Sequence, residues 1–173
     1  YDGQASVQTV LSRAVPMTAD EFKYAVENYK PALSSSLYGA QTDWFKEVTR
    51  TPFSHRHSLA VAGGSEAFSH RTTLNVEQNQ GLLKNNNAQK YLIKTNIHQD
   101  ALQGWLSFDY NLSYGKRKYE GTRTGIFRQA FFHNPTEPVY DETDTEHGGY
   151  YTVPSMDYYN PVAMLNERKS GYD

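Results

Sequence analysis

The stretch that decides the fold is SLAVAGGSEAFSHRTTLNVEQNQGLL, residues 58–83. Between residues 69 and 79 every odd position is hydrophilic, whereas the intervening positions include Leu74 and Val76. Successive side chains of a strand point to opposite faces, so this segment has one hydrophilic face and one face with an apolar centre. The residues before it alternate in the same way, and Gly63 and Gly64 supply the glycines that a tight reversal needs. The stretch therefore predicts a β-hairpin.

The same period of two recurs along the chain. It is clearest where Leu106, Phe108 and Tyr110 alternate with polar residues. Runs of this kind are typical of strands that have one apolar face. The strands predicted are, in order, Tyr1–Val10, Arg56–Ala62, Ser69–Gln80, Tyr91–Asp100 and Trp105–Lys118.

One longer helix interrupts the strands. Thr18 and Glu21 match a capping box, and apolar residues then recur at helical spacing until Pro31. This pattern predicts a helix over Ala19–Tyr29. Its apolar stripe either packs against neighbouring strands, which is the commoner case, or binds a partner. A single helical turn is also predicted after Asp43, with Trp44 as an anchor.

The composition restricts the class of protein. The 173 residues suit one domain, and 14% are aromatic although only 38% are hydrophobic and the mean hydropathy is -0.75. Such values suit a β-sheet that contacts water on one face and an apolar environment on the other. The absence of cysteine excludes disulfides and thiolate metal sites, and a net charge of -2 gives no reason to expect nucleic acid. Because the chain starts at Tyr1 without Met or a signal pattern, we expect a piece of a longer protein.

The sequence contains no stretch of ~20 apolar residues that would form a membrane helix. It also lacks the G-x-S-x-G, P-loop, dinucleotide and H-E-x-x-H motifs, so we predict neither an enzyme nor a cofactor. His55 and His57 share a strand face, but no carboxylate partner identifies a metal site, so none is predicted. The acidic run 141–149 misses the spacing of a calcium loop.

The candidate ligand contacts are aromatic. An aromatic ring stacks on the apolar face of a sugar ring, although packing within the protein is the commoner role of a tyrosine. The candidates are Tyr150, Tyr151, Tyr158 and Tyr159.

Four sequence runs together resemble SusC/RagA-type TonB-dependent outer-membrane transporters. HSLAVAGGSE at 57–66 and LNVEQNQGL at 74–82 resemble an early turn and a strand exit in that family. AFFHNPTEPVYD at 130–141 resembles a family loop, with His133 in place of the usual Arg, and YNPVAML at 159–165 resembles its sequel. The resemblance extends over nearly the whole chain.

The resemblance implies a mainly β fold: an antiparallel meander of about five strands from the start of a transmembrane β-barrel, with one short helix and a long C-terminal loop. Residues 1–120 would be the first strands of a barrel of about 22, with the helix inserted near 19–29, and residues 121–173 a long extracellular-type loop. It also implies import of glycan or peptide nutrients (an oligosaccharide or peptide substrate) across the outer membrane of a Gram-negative, Bacteroidetes-like bacterium. The implied partners are outer-membrane lipid, a SusD-like surface lipoprotein, and TonB, which would act through a segment absent from this chain.

A soluble β-sheet carbohydrate-binding or interaction module is the alternative. In an intact barrel one apolar strand face would contact lipid, whereas an isolated piece would cover it by self-association or with its own helix and loops. The residues predicted to share this face are Leu74, Val76, Ile93, Ile97, Leu106, Phe108, Tyr110 and Leu112. Loops without periodicity tolerate removal better than strands do. We therefore expect deletion of 121–173 to impair substrate capture while leaving barrel assembly possible.

Overall fold

The computed structural model describes residues 1–123, 125–153, 159–167 and 169–172, which form one antiparallel sheet with helices in its connections. The strands are β1 (Asp2–Val7), β2 (Phe53–Ser65), β3 (Phe68–Gln80), β4 (Asn87–Ala101), β5 (Leu106–Gly121) and β6 (Lys169–Tyr172). The helices are α1 (Ala19–Tyr29), α2 (Trp44–Val48), α3 (Ile126–Phe132) and α4 (Pro161–Asn166), with 3-10 turns at Pro31–Ser36 and Leu102–Gly104. Each strand pairs with the next in chain order, so the mainly β antiparallel meander is confirmed.

β2 and β4 extend further than the sequence pattern predicts, whereas β1 ends at Val7 and not at Val10. β2 begins at Phe53 and β4 at Asn87, because polar residues beyond the alternating segments still pair with their neighbours across the sheet. β6, which pairs with the end of β5, was not predicted. It lies within the segment 121–173, which was predicted to be a long loop. That segment also contains α3 and α4.

The predicted helix is confirmed at both ends. The backbone N–H of Glu21 donates to Oγ1 of Thr18 at 3.3 Å, and the N–H of Thr18 donates to the Glu21 carboxylate at 2.8 Å. Among the described elements, however, α1 packs only against the 3-10 turn Pro31–Ser36. The expectation that its stripe packs against strands is wrong, because Pro31 turns the chain back onto the helix.

The pairing register assigns every strand residue to one of two faces. Residues directly opposite each other in antiparallel strands point to the same face. Face A contains the even-numbered residues of β3 and β5 and the odd-numbered residues of β1, β2 and β4, and face B contains the others. The eight apolar residues predicted to share a face all lie on face A: Leu74, Val76, Ile93, Ile97, Leu106, Phe108, Tyr110 and Leu112.

Face A is an exposed apolar surface. In one row across it, Tyr114, Ile93, Leu74 and Leu59 lie opposite one another and are each 40–69% exposed. Of the two ways in which an isolated piece was expected to cover this face, the chain's own helix and loops do not do so, and self-association stays a prediction. The connections leave from the ends of the strands and do not fold back over the apolar rows.

Face B carries mostly polar side chains, with Leu92 and Tyr119 as the larger exceptions. In one row Arg117, Lys90, Glu77 and Arg56 lie opposite one another. Two rows further from the long connections, Ser113 lies opposite Lys94, which lies opposite Thr73. The sheet therefore separates an apolar surface from a hydrophilic one.

The connections differ in length between the two ends of the strands, each of which we call an edge of the sheet. At one edge the turns are short, comprising 66–67 and 102–105. At the other edge lie the long connections 8–52 and 122–168, together with 81–86. Among the described residues, no helix combines the length and apolar character that crossing a membrane requires.

The hydrophobic core lies in these connections and not in the sheet. Its buried members come from three helices: Trp44, Val48, Ile126, Ala130, Val162, Met164 and Leu165. Removing 121–173 would strip α3 and α4 from α2 and expose Trp44 and Val48. The packing thus argues against the expectation that this deletion is tolerated.

The first hairpin reverses later than the glycines suggest. The two residues between β2 and β3 are Glu66 and Ala67, whereas Gly63 and Gly64 are paired within β2. A Cβ at Gly64 would lie 2.7 Å from Cα of Ser69 and would meet the carbonyl oxygen of Phe68. Gly64 is therefore required for close approach of two backbones and not for the turn itself.

A matched pair of glycine substitutions tests this assignment. Gly64→Ala places a methyl group against backbone that cannot move, so we expect it to lower the free energy of unfolding by about 1 to 3 kcal/mol. In Gly63→Ala the nearest atom, at 3.3 Å, belongs to the His70 ring, which can rotate away, so little change is expected. Thermal unfolding of the purified variants measures both effects, and equal midpoints would contradict the assignment.

Candidate functional site

The residues beyond the long-connection edge form one packed unit, which we call the loop lobe and define as residues 36–50, 81–86, 125–153 and 159–167. Asn134 and Thr136 join its two long connections. The Asn134 side-chain amide donates to the Ser36 carbonyl at 2.7 Å, and its oxygen accepts from the N–H of Thr136 at 2.9 Å. The Thr136 hydroxyl accepts from the N–H of Tyr38 at 3.2 Å. The Asn-Pro-Thr motif is therefore a structural joint between segments about a hundred residues apart in sequence.

Backbone pairing extends this joint towards α2. The N–H groups of Ala40 and Thr42 donate to the carbonyls of Thr136 and Pro135, both at 2.9 Å. The indole N–H of Trp44 donates to the Asn134 carbonyl at 3.0 Å. Asp43 caps α2 as predicted, accepting from the N–H of Lys46 at 3.1 Å. The Trp44 ring is thus bonded to the Asn134 segment, and the residues just before Trp44 are paired with the same segment.

A buried histidine and glutamate lie beneath this joint. Nε2 of His133 is 3.0 Å from Oε2 of Glu137, and both side chains are at most 2% exposed. The ring centroids of His133 and Trp44 are 4.3 Å apart in an edge-to-face arrangement. His133 therefore packs against the Trp44 ring and contacts a buried carboxylate, which an exposed loop residue would not do.

A second asparagine-proline pair closes the far side of the loop lobe. Oδ1 of Asn160 accepts from the N–H groups of Val162 and Ala163 and so caps α4, which begins at Pro161. Its amide donates to the carbonyls of Val139 and Tyr151 at 2.9 and 3.1 Å. One side chain thus starts the helix and ties it to two other segments.

The acidic run is a set of tight turns. The N–H of His147 and the side chain of His147 both contact the Asp144 carboxylate, and they hold the pKa of Asp144 below its ordinary value. The hydroxyl and N–H of Thr143 lower the pKa of Asp141 in the same way. Within the described residues, no group of three or more His, Asp or Glu side chains is arranged to hold a metal ion.

The predicted tyrosine candidates do not form one cluster. Tyr150 packs against the core, and its hydroxyl accepts from Asn166 at 2.5 Å. Tyr151 is half-buried beside Tyr38, and burial raises the pKa of its phenol. Tyr159 is 61% exposed and lies under the Arg123 guanidinium, 5.7 Å from ring centroid to Cζ. Tyr158 lies outside the described residues.

A concavity at the border of the loop lobe was not predicted from the sequence. It is a groove of about 360 Å³ between the segment before α1 and the Trp44 region, and we call it the lobe groove. Its walls combine apolar and polar groups, including Arg13, Met17, Asp20, Gln41, Asp43 and Pro135. This volume is within the ~300–1,000 Å³ of small-molecule sites.

Polar contacts across the lobe groove fix its rim. Gln41 Nε2 donates to Asp20 at 3.2 Å, and Arg13 Nη2 lies 3.7 Å from the Asp43 carboxylate. The sequence signals were local: a capping box at Thr18 and a cap at Asp43. Neither signal shows that the N-terminus of α1 lies near the N-terminus of α2. Both line the groove together with Pro135, which is distant in sequence.

The strand histidines do not form one cluster, although the ring centroids of His55 and His57 are 5.1 Å apart. His55, His57 and His70 are on face A, whereas His98 is on face B. The ring of His57 is hydrogen-bonded to the Tyr1 hydroxyl at 2.7 Å, and that of His98 to Asp109 at 2.8 Å. These histidines therefore serve as side chains of the sheet surface.

Comparison with known proteins identifies the relatives of this chain. No family model matches it. It is 28% identical over 156 residues to the TonB-dependent receptor SusC of Bacteroides thetaiotaomicron, covering 87% of this chain and 16% of that protein. The chain is similar to one segment of SusC-like TonB-dependent receptors.

Two further relatives come from Formosa agariphila. TonB-dependent receptor P26 is 26% identical over 123 residues, covering 71% of this chain and 12% of the relative. TonB-dependent receptor P3 is 25% identical over 176 residues, covering 94% of this chain and 17% of the relative. The chain thus spans about a sixth or less of the length of these receptors, whose names describe receptors and not enzymes.

A substitution of His133 tests the buried joint of this SusC-like segment. His133→Leu removes a polar contact from the buried Glu137 carboxylate, so we expect the loop lobe to lose about 3 kcal/mol of stability. Arg123→Gln is the control, since the Arg123–Glu167 pair at 2.7 Å is exposed and its loss costs at most about 1 kcal/mol. Limited proteolysis of residues 125–153 measures the effect, and equal cleavage rates in the two variants would contradict it.

Proposed function

We propose that this chain forms part of the wall and the outer mouth of a TonB-dependent importer in the outer membrane of a Gram-negative, Bacteroidetes-like bacterium. One observation supports this most directly: an uncovered apolar face backs onto a hydrophilic face across β1 to β5. A barrel wall has lipid on one side and a polar interior on the other. Face A would contact lipid, and face B the interior.

The dimensions of face A suit this role. The apolar positions from Leu106 to Tyr114 cover about 27 Å of strand at ~3.4 Å per residue. A strand tilted by ~40° would then present an apolar band of about 20 Å, close to the ~25 Å band of outer-membrane barrels. Tyr114 and Trp105 lie near the two ends of this band, as aromatic girdles do.

The placement of the connections sets the orientation. Outer-membrane barrels have short periplasmic turns and longer external loops. The edge with 66–67 and 102–105 would therefore face the periplasm, and the loop lobe would face the exterior. A soluble carbohydrate-binding module is less favoured, because it would leave face A and its open sheet edges in water.

The proposed cargo is an oligosaccharide or peptide nutrient, with a SusD-like surface lipoprotein as lid and TonB as energy source. The support is the similarity to receptors named TonB-dependent and, in one case, SusC. The lobe groove offers carboxylates, an amide and apolar surface to such a cargo. Tyr159 is the tyrosine candidate best placed to contact it, since Tyr150 and Tyr151 are engaged in packing.

Neighbouring residues of β5 test the wall assignment. Spin labels at Leu112→Cys and Ser113→Cys lie on faces A and B, and the sequence has no other cysteine. In the full-length receptor in outer-membrane vesicles, we expect oxygen to relax the label at 112 more strongly and a water-soluble nickel chelate the label at 113. Equal or inverted accessibilities at the two sites would refute the wall assignment.

A charge removed from the lobe groove tests nutrient capture. Asp20→Asn takes a carboxylate out of the groove, so we expect roughly tenfold weaker binding of the nutrient that growth assays identify for the wild type. Glu27→Gln removes a charge from the same helix away from the groove and should bind normally. Calorimetric titration of the full-length variants decides, and an unchanged affinity for Asp20→Asn would rule out the groove.

A further inference from the structure

Face A changes character abruptly at the edge next to the loop lobe. Beyond the row of Tyr114, the next rows contain Lys116 and Lys118 on β5. Lys118 lies opposite Gln89, which lies opposite Gln78. Together with Arg50, these residues form what we call the boundary patch: Arg50, Gln78, Gln89, Lys116 and Lys118. A polar, cationic surface thus borders directly on the apolar band.

The other end of face A has no such cations. Residues 63–69 and 99–108 border it, and these segments contain neither lysine nor arginine. Phe68, Phe108 and the 90% exposed Trp105 lie there instead. Positive charge on face A is therefore confined to the edge with the long connections. Charges that served only to border the apolar band would be found at both of its ends.

The boundary patch is held in place. Nε of Arg50 donates to the Gly81 carbonyl at 3.1 Å, and Nη2 donates to the Asn86 carbonyl at 2.6 Å. Both acceptors are neutral, so the guanidinium keeps its net charge. Nζ of Lys118 lies 3.2 Å from the Glu120 carboxylate, so this lysine too is held by a neighbour within the patch region.

A shallow concavity of about 250 Å³ lies within this surface. Side-chain amides line it between the cations, namely Gln78, Gln80, Asn87 and Gln89. Amides both donate to and accept from hydroxyl groups, and lysine binds a phosphate as a point charge. The combination fits a ligand that has a phosphate and sugar hydroxyls together.

We propose that the boundary patch binds the phosphorylated sugar headgroup of a lipopolysaccharide in the outer leaflet. This rests on the proposed function, which places face A against lipid and the loop lobe outside. Lys116 and Lys118 would contact the phosphate, Gln78 and Gln89 the sugar, and the acyl chains would lie along the band that includes Tyr114, Ile93 and Leu74. The continuity of the patch with the band supports an amphipathic ligand over a free anion.

The test compares two double variants of the full-length receptor. Lys116→Gln with Lys118→Gln removes two cations from face A, and Lys90→Gln with Lys94→Gln removes two from face B of the neighbouring strand. Delipidated receptor in neutral detergent is titrated with lipopolysaccharide, phosphatidylglycerol, phosphatidylcholine or inorganic phosphate, and bound lipid and the unfolding midpoint are measured. Heat-modifiable mobility on gels shows that each variant is folded.

We expect lipopolysaccharide to bind the wild type and to raise its midpoint more than the other three probes do. The face A variant should bind it roughly 10- to 30-fold more weakly, because each of the two lost lysines contributes to the binding free energy at an anionic lipid surface. The face B variant should bind it as the wild type does. Unchanged binding by the face A variant overturns the proposal. So does an equal loss in the face B variant, or an equal response to phosphatidylglycerol or phosphate.

Failure of this proposal is distinguishable from failure of the wall assignment. The spin labels at 112 and 113 report which face contacts lipid, whatever the headgroup. A lipid-exposed label at 112 together with unchanged lipopolysaccharide binding overturns the boundary patch alone. A water-exposed label at 112 overturns both proposals.

Discussion

The structure depends on the register that holds alternate residues of β1 to β5 on the same face. Because the period of a strand is two, a slip of one residue between β3 and β4 would move Ile93 to the polar face and Lys94 to the apolar one. The short turns at 66–67 and 102–105 help to set this register, and the backbone hydrogen bonds between strands hold it without a hydrophobic core beneath the sheet. A sheet with two exposed faces can therefore maintain a sharp division between apolar and polar surfaces.

This arrangement inverts the usual location of buried residues. In a compact β domain the strands contribute the core, whereas the core here is made by α2, α3 and α4 in the connections. The sheet has one apolar and one polar face, and the loop lobe is a small packed body at the ends of its strands. Stability of the lobe depends on side chains such as Val48 and Ile126, which are at most 1% exposed.

The sequence predicted the features that depend on neighbours along the chain. Alternation located the centres of five strands, and the capping box and Pro31 located the two ends of α1. The extents of β2 and β4 were underestimated because residues such as Asn87 have no apolar pattern and are ordered by the strand opposite. Gly63 and Gly64 were assigned to the turn because composition cannot separate a glycine that reverses the chain from one that admits a neighbouring backbone. The lobe groove and the His133–Glu137 contact were missed or misjudged because both depend on long-range packing, which local spacing does not encode.

The joint between the two long connections also has a consequence for the order of folding. Hairpins of adjacent strands close over short sequence distances, whereas the contact between Trp44 and Asn134 closes a loop of about ninety residues and therefore costs more chain entropy. β2 to β5 lie entirely within that loop, so we expect these strands to pair before the lobe packs. Until then the Trp44 ring and the Glu137 carboxylate would remain in water. A newly made chain would therefore form its two-faced sheet first and its hydrophobic core last.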